Sequence, residues 1–143
     1  MKTWQEARDL CTAAGTTLPI PRSEADVHAL CAMHFSSMEP HYYVNHHYVW
    51  TGIIRGSEHN SFINYLDQSP APYLTPDLIH DYDDINSVYS YDNNKCMVLQ
   101  CADSPGTYIP SQNTYFNVGC DGRFDTFNNF CEDPRKYLFE KYY

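Results

Sequence analysis

Six cysteines spread over 143 residues constrain this chain more than any other feature: Cys11, Cys31, Cys96, Cys101, Cys120 and Cys131. None forms a C-x-x-C pair of the zinc or redox kind, and the closest two, Cys96 and Cys101, have four residues between them. An even number at wide spacing predicts disulfides and an oxidising, secreted or extracellular setting. Six free buried thiols in a cytosolic protein are the competing reading, and the loop-like flanks of the cysteines argue against it. Spacing alone leaves fifteen pairings open.

The length fits one α+β domain spanning residues 1–143. A net charge of −9 with only nine scattered Lys and Arg excludes a nucleic-acid binder, which clusters cations against phosphate. The same charge opposes binding to an anionic membrane surface, and no apolar run reaches the length of a membrane span. Basic partners, cations and neutral polar ligands remain. Met1-Lys2-Thr3-Trp4 leads straight into a polar helix without a signal-peptide pattern, so a secreted chain is expected to have its signal or anchor outside these residues. No N-x-S/T sequon is present.

Thr3-Trp4-Gln5-Glu6 is a capping box, and Trp4, Ala7, Cys11 and Ala14 then form one apolar stripe. Gly15 can end this helix in a left-handed conformation. Leu18-Pro19-Ile20-Pro21 is held extended by its prolines. Ser23 is the predicted N-cap of a second helix whose face carries Val27, Leu30 and Cys31. Val49-Trp50-Thr51-Gly52-Ile53-Ile54 reads as a buried strand, and strand character returns at 95–101, 115–118 and 127–131. The segment from about Asp67 to Lys95 has neither period, is rich in Pro, Asp and Tyr, and is predicted to be a long irregular functional loop. The tail, 134–143, has no assignable pattern.

The order of these features resembles the C-type lectin-like domain. The matching residues are Trp4-Gln5-Glu6-Ala7-Arg8-Asp9-Leu10-Cys11, Leu18-Pro19-Ile20-Pro21-Arg22-Ser23, Trp50-Thr51-Gly52-Ile53, Cys96-Met97-Val98-Leu99 and Phe130-Cys131-Glu132. The resemblance runs from about Lys2 to Glu132. It implies two helices flanking small antiparallel sheets, a long loop, and disulfides Cys11–Cys131 and Cys96–Cys120, with Cys31 and Cys101 left to pair. It also implies a strand before the first helix, paired with the C-terminal strand. Here that strand either lies outside the chain or is replaced by the tail around Tyr137-Leu138-Phe139.

The family's sugar site holds one calcium through an E-P-N or Q-P-D motif, an acid before a cysteine, and a W-N-D strand. These positions fall here on Thr75-Pro76-Asp77, Asn94 and Tyr115-Phe116-Asn117, leaving Asp77, Asn94 and Asn117 with one carboxylate between them. Calcium takes six to eight hard oxygens, so this is a poor site. Asp81, Asp83 and Asp84, with Asp77, are the alternative calcium ligands. A solvated acidic loop is the competing reading, because the glycine turn and spaced Glu of an EF-hand are missing.

Tyrosine is the other distinctive residue, with 13 in the chain. Tyr65, Tyr73, Tyr82, Tyr89, Tyr91, Tyr108 and Tyr115 fall in or around the loop. A flat apolar face with a polar tip suits stacking on sugars and protein interfaces, and equally suits a small local core. The candidate ligand-binding set is therefore Tyr73, Asp77, Tyr82, Asp84, Tyr89, Tyr91, Asn94, Tyr115 and Asn117. His41, His46 and His47 lie close together, but adjacent residues of an extended segment face opposite ways, so zinc is disfavoured and exposed loop histidines are expected. No G-x-S-x-G elbow or phosphate-cradling glycine loop is present. The expected function is therefore recognition of a glycan or another polar ligand rather than catalysis. A calcium-independent protein-interaction, self-assembly or structural module is the alternative.

Overall fold

A computed structural model describes residues 2–36, 48–57, 61–74, 95–101, 114–121, 129–133 and 138–142. Helix α1 spans Trp4–Ala13 and helix α2 spans Glu24–Ser36. The strands are β1 (Tyr48–Arg55), β2 (Phe62–Asn64), β3 (Cys96–Gln100), β4 (Thr114–Val118), β5 (Asn129–Asp133) and β6 (Leu138–Tyr142). β2, β1, β3 and β4 form one antiparallel sheet in that order, and β5 pairs with β6 in a second.

Both helices begin where their caps predict. The Glu6 N–H donates to Thr3 Oγ1 at 3.2 Å, and the Asp26 N–H donates to Ser23 Oγ at 3.1 Å. At the other end of α1, Gly15 takes φ +75°, a conformation that costs glycine nothing. Of the predicted stripe, Trp4, Ala7 and Cys11 are buried, while Ala14 at the C-cap is exposed.

β1 and β3 read as near-continuous apolar runs because both faces of the central sheet are covered. Side chains alternate across a strand, so the two faces can be assigned by parity. Val49, Ile53, Met97 and Leu99 pack with Val27, Leu30 and Cys31 of α2. Trp50, Cys96 and Val98 pack with Trp4, Ala7 and Cys11 of α1. Gly52 is required in the middle of β1, since a Cβ there would lie 2.7 Å from the Tyr65 ring and 2.9 Å from Ile20 Cγ1.

The three disulfides are Cys11–Cys131, Cys31–Cys101 and Cys96–Cys120, the pairing implied by the resemblance. Cys11–Cys131 links residues 120 apart and ties α1 to β5. In the chain-entropy picture a crosslink of that span contributes about 4–5 kcal/mol.

The strand predicted over 127–131 is β5 in its described part, while 127–128 lie outside the described residues. The tail, unassigned from its pattern but one of the two alternatives for the missing partner strand, supplies β6, which pairs with β5 from Asn129↔Tyr142 to Asp133↔Leu138. β5 thus has β6 along it and a single bridge, Thr17↔Glu132, tying it to the segment after α1.

Candidate functional site

The residues that lead into the long loop form a compact hairpin. β2 pairs with β1 through Ile53↔Asn64, Ile54↔Ile63 and Arg55↔Phe62. The chain then reverses. The Leu66 N–H donates to Asn64 Oδ1 at 2.8 Å, an Asx turn, and the Gln68 N–H donates to the Asn64 carbonyl at 2.9 Å. Asp67 Oδ1 accepts from the Ser69 hydroxyl at 2.6 Å and from its N–H at 3.0 Å. The Ser69 hydroxyl, then its N–H, hold the Asp67 carboxyl below its ordinary range. The returning segment closes on β2 through an isolated bridge, Ile63↔Pro70, with the Asn64 N–H donating to the Ser69 carbonyl and the Ala71 N–H to the Phe62 carbonyl.

Gln68 closes this turn at φ +61°. That left-handed region costs a residue with a Cβ roughly 1–2 kcal/mol, and strained positions cluster at functional sites. Gln68 lies on the rim of a cleft of about 460 Å3. Phe62, Ile63 and Leu74 give the cleft apolar wall, and Ser57 and Ser61 contribute hydroxyls. No charged residue lines it among the described residues. Its inner side continues into the core, because Phe62, Ala71, Tyr73 and Leu74 pack against the cluster beneath α2.

The tyrosines singled out from the sequence divide. Tyr115 is corrected from a surface candidate to a core residue: it is 1 % exposed and packs with Leu30, Met97 and Phe130. β4 runs along the covered sheet, so an aromatic on its inner face is buried. Burial, with Tyr73 and Asp26 nearby, raises its phenol far above the usual value, and its hydroxyl has no hydrogen-bond partner among the described residues. Tyr73 is half-buried against the same cluster. Tyr65 is structural: its hydroxyl accepts from the Leu18 N–H at 3.1 Å, and its ring meets Trp4 edge-on at 5.5 Å. Asn117 lies on β4 opposite Met97. Asp77, Asp81, Tyr82, Asp83, Asp84, Tyr89, Tyr91, Asn94 and Tyr108 lie outside the described residues, as do His41, His46 and His47.

His34 had no role in the sequence reading. His34 is fully buried on α2, edge-on to Phe35 and 6.4 Å from the Phe130 ring. It follows Val27, Leu30 and Cys31 at helical spacing, a signal that was present in the sequence. No group of three His, Cys, Asp or Glu suited to a metal occurs among the described residues.

Sequence reasoning quoted Glu132 within the closing motif but gave it no role. Its carboxylate is 1 % exposed, yet Oε1 accepts from the Ile20 N–H at 3.2 Å, and both oxygens accept from Arg22 Nη1 at 3.0 Å. Burial raises this carboxyl, while the Ile20 N–H and Arg22 oppose the shift. Its place, joining the segment between the helices to β5, marks it as a structural clamp.

No described helix is long and apolar enough to cross a membrane. No family model matches the chain, and a comparison with curated proteins finds no match.

Proposed function

We propose that this chain is a C-type lectin-like binding module of the extracellular space. It recognises a carbohydrate or another polar ligand through the loop from about 67 to 95 and the hairpin at its base, without the family's calcium site. The observation that carries this reading is the set of three cross-links on a sheet with a helix against each face. Cys11–Cys131 closes α1 onto β5, and Cys96–Cys120 ties the strand after the loop to the segment after β4. That leaves the stretch between β2 and β3 as the natural place for ligand contacts. Three disulfides also suit an oxidising compartment.

The loss of calcium ligands is supported by chemistry. The W-N-D strand is replaced by Tyr115-Phe116-Asn117, where a phenylalanine stands at a ligand position and Tyr115 is core. The same substitution favours a second reading, a calcium-independent protein-interaction or self-assembly module.

Thermal melts in calcium and in chelator, run beside a glycan array, test the proposal. A native-state ligand raises stability by mass action, so calcium binding would separate the two melts. Coincident melts with glycan binding are expected. A calcium-dependent shift would overturn the calcium-free mechanism, and a silent array would transfer the case to the protein-interaction reading.

A further inference from the structure

We infer that the Cys96–Cys120 disulfide is a redox switch: a dithiol reductant opens this bridge alone, and the chain stays folded with a loosened root to its long loop. The switch concerns the bridge itself and holds whatever the loop binds.

Access singles this bridge out. Cys11, Cys31, Cys96, Cys101 and Cys131 are at most 5 % exposed, so the other two bridges are closed to solvent at both ends. Cys120 is only partly buried, in the turn that follows β4. Exchange requires a thiolate to reach one sulfur of the bridge, and Cys120 provides the approach.

The cost of opening singles it out as well. The three bridges join residues 120, 70 and 24 apart, and the stabilisation gained by closing a loop falls with its length. Cys96–Cys120 closes the shortest. The strands beside it remain paired without it: β3 and β4 stay in register from Cys96↔Val118 to Gln100↔Thr114, and β1 lies along the other side of β3.

The exchange runs in two displacements. One thiolate of the dithiol attacks Cys120 Sγ, and the electron pair of the Cys96–Cys120 bond leaves with Cys96 Sγ, which takes a proton from water. The second thiolate then attacks the dithiol's own sulfur in the mixed disulfide. Cys120 leaves as a thiolate, and the reductant departs as its disulfide, having given up two electrons.

Two attachments depend on the bridge. Cys96 opens β3 at the end of the long loop. The Cys120 carbonyl accepts from the Trp4 N–H at 3.1 Å, an amide in the first turn of α1 that the helix itself cannot satisfy. Reduction releases both together while the ladder beyond them holds.

The test is graded reduction of the full, oxidised chain with dithiothreitol under native conditions, followed by alkylation and peptide mapping. Cys96 and Cys120 should be alkylated together, at least about tenfold faster than the other four cysteines. Hydrogen exchange of that two-thiol form should show the Trp4 amide losing protection, with Met97–Leu99 still protected. The double variant Cys96→Ala, Cys120→Ser should fold with the remaining two bridges intact and show the same loss at Trp4. Earlier or equal labelling at Cys11, Cys31, Cys101 or Cys131, or simultaneous labelling of all six, would overturn the switch. So would a double variant that does not fold, because the opened state would then not be a folded one.

Discussion

The two faces of the central sheet are finished differently. Beneath α1, two disulfides adjoin the core, and both indoles are anchored: Trp4 Nε1 donates to the Thr51 carbonyl at 2.9 Å and Trp50 Nε1 to the Lys2 carbonyl at 2.8 Å. Beneath α2 there is one disulfide, a phenol buried without a hydrogen-bond partner among the described residues, and a margin of half-buried side chains that opens into the cleft. A buried polar group without a partner costs free energy that a fully optimised core would not carry. The contrast teaches that stability is concentrated on the α1 face, while the α2 face and its hairpin keep the irregularities that binding surfaces use.

The largest expected effect comes from opening the α1 face. Replacing Cys11 and Cys131 together with Ser should lower unfolding free energy by about 4–5 kcal/mol, read from denaturant midpoints. A loss under about 1 kcal/mol would remove the basis for the contrast. Next is Thr51→Val, which keeps the shape but deletes the buried bond from Thr51 Oγ1 to the Met97 carbonyl, 2.9 Å long. It should cost about 1–2 kcal/mol.

A smaller effect concerns pH. Glu132 has its folded-state pKa raised by burial. Its stabilising contribution is therefore complete below the unfolded value and is lost as pH rises through the folded one. Acidifying from about pH 7 to about pH 4 should move wild-type stability upward relative to Glu132→Gln, seen as a widening gap in denaturant midpoints. A gap that narrows on acidification would mean that Arg22 and the Ile20 N–H outweigh burial.

Tyr115→Phe should produce the smallest change. It removes a hydroxyl that is buried without a partner, so stability should stay level or rise by up to about 1 kcal/mol. A clear loss would show that the α2 face is as tightly specified as the α1 face.

The helices were legible because caps are local chemistry: Thr3 with Glu6, Ser23 with Asp26, and Gly15 at a helix end all act within a few residues. The central strands were legible as apolar runs. Cystine pairing came from the resemblance alone, since spacing cannot choose among partners. β2 has three residues, and β6 has no alternation to betray it; both depend on their partners in the sheet. Tyr115 was misplaced because one residue type serves both surfaces and cores, and only the position of β4 decides between them. Glu132 was legible only as part of the Phe130-Cys131-Glu132 resemblance, which gave it no role, and the left-handed Gln68 carried no signal. One depends on Arg22, 110 residues away, and the other departs from the residue a turn would normally select.

Native-state hydrogen exchange tests the contrast most directly. Amides of Trp50–Ile53, Met97–Leu99 and Cys131–Glu132 should exchange only through global unfolding, with one common denaturant dependence. Those of Gln68 and Ala71, in the hairpin that borders the cleft, should open at markedly lower free energy through a sub-global unit. Uniform protection across both sets would contradict the account, because the hairpin that borders the cleft would then be as rigid as the stapled core.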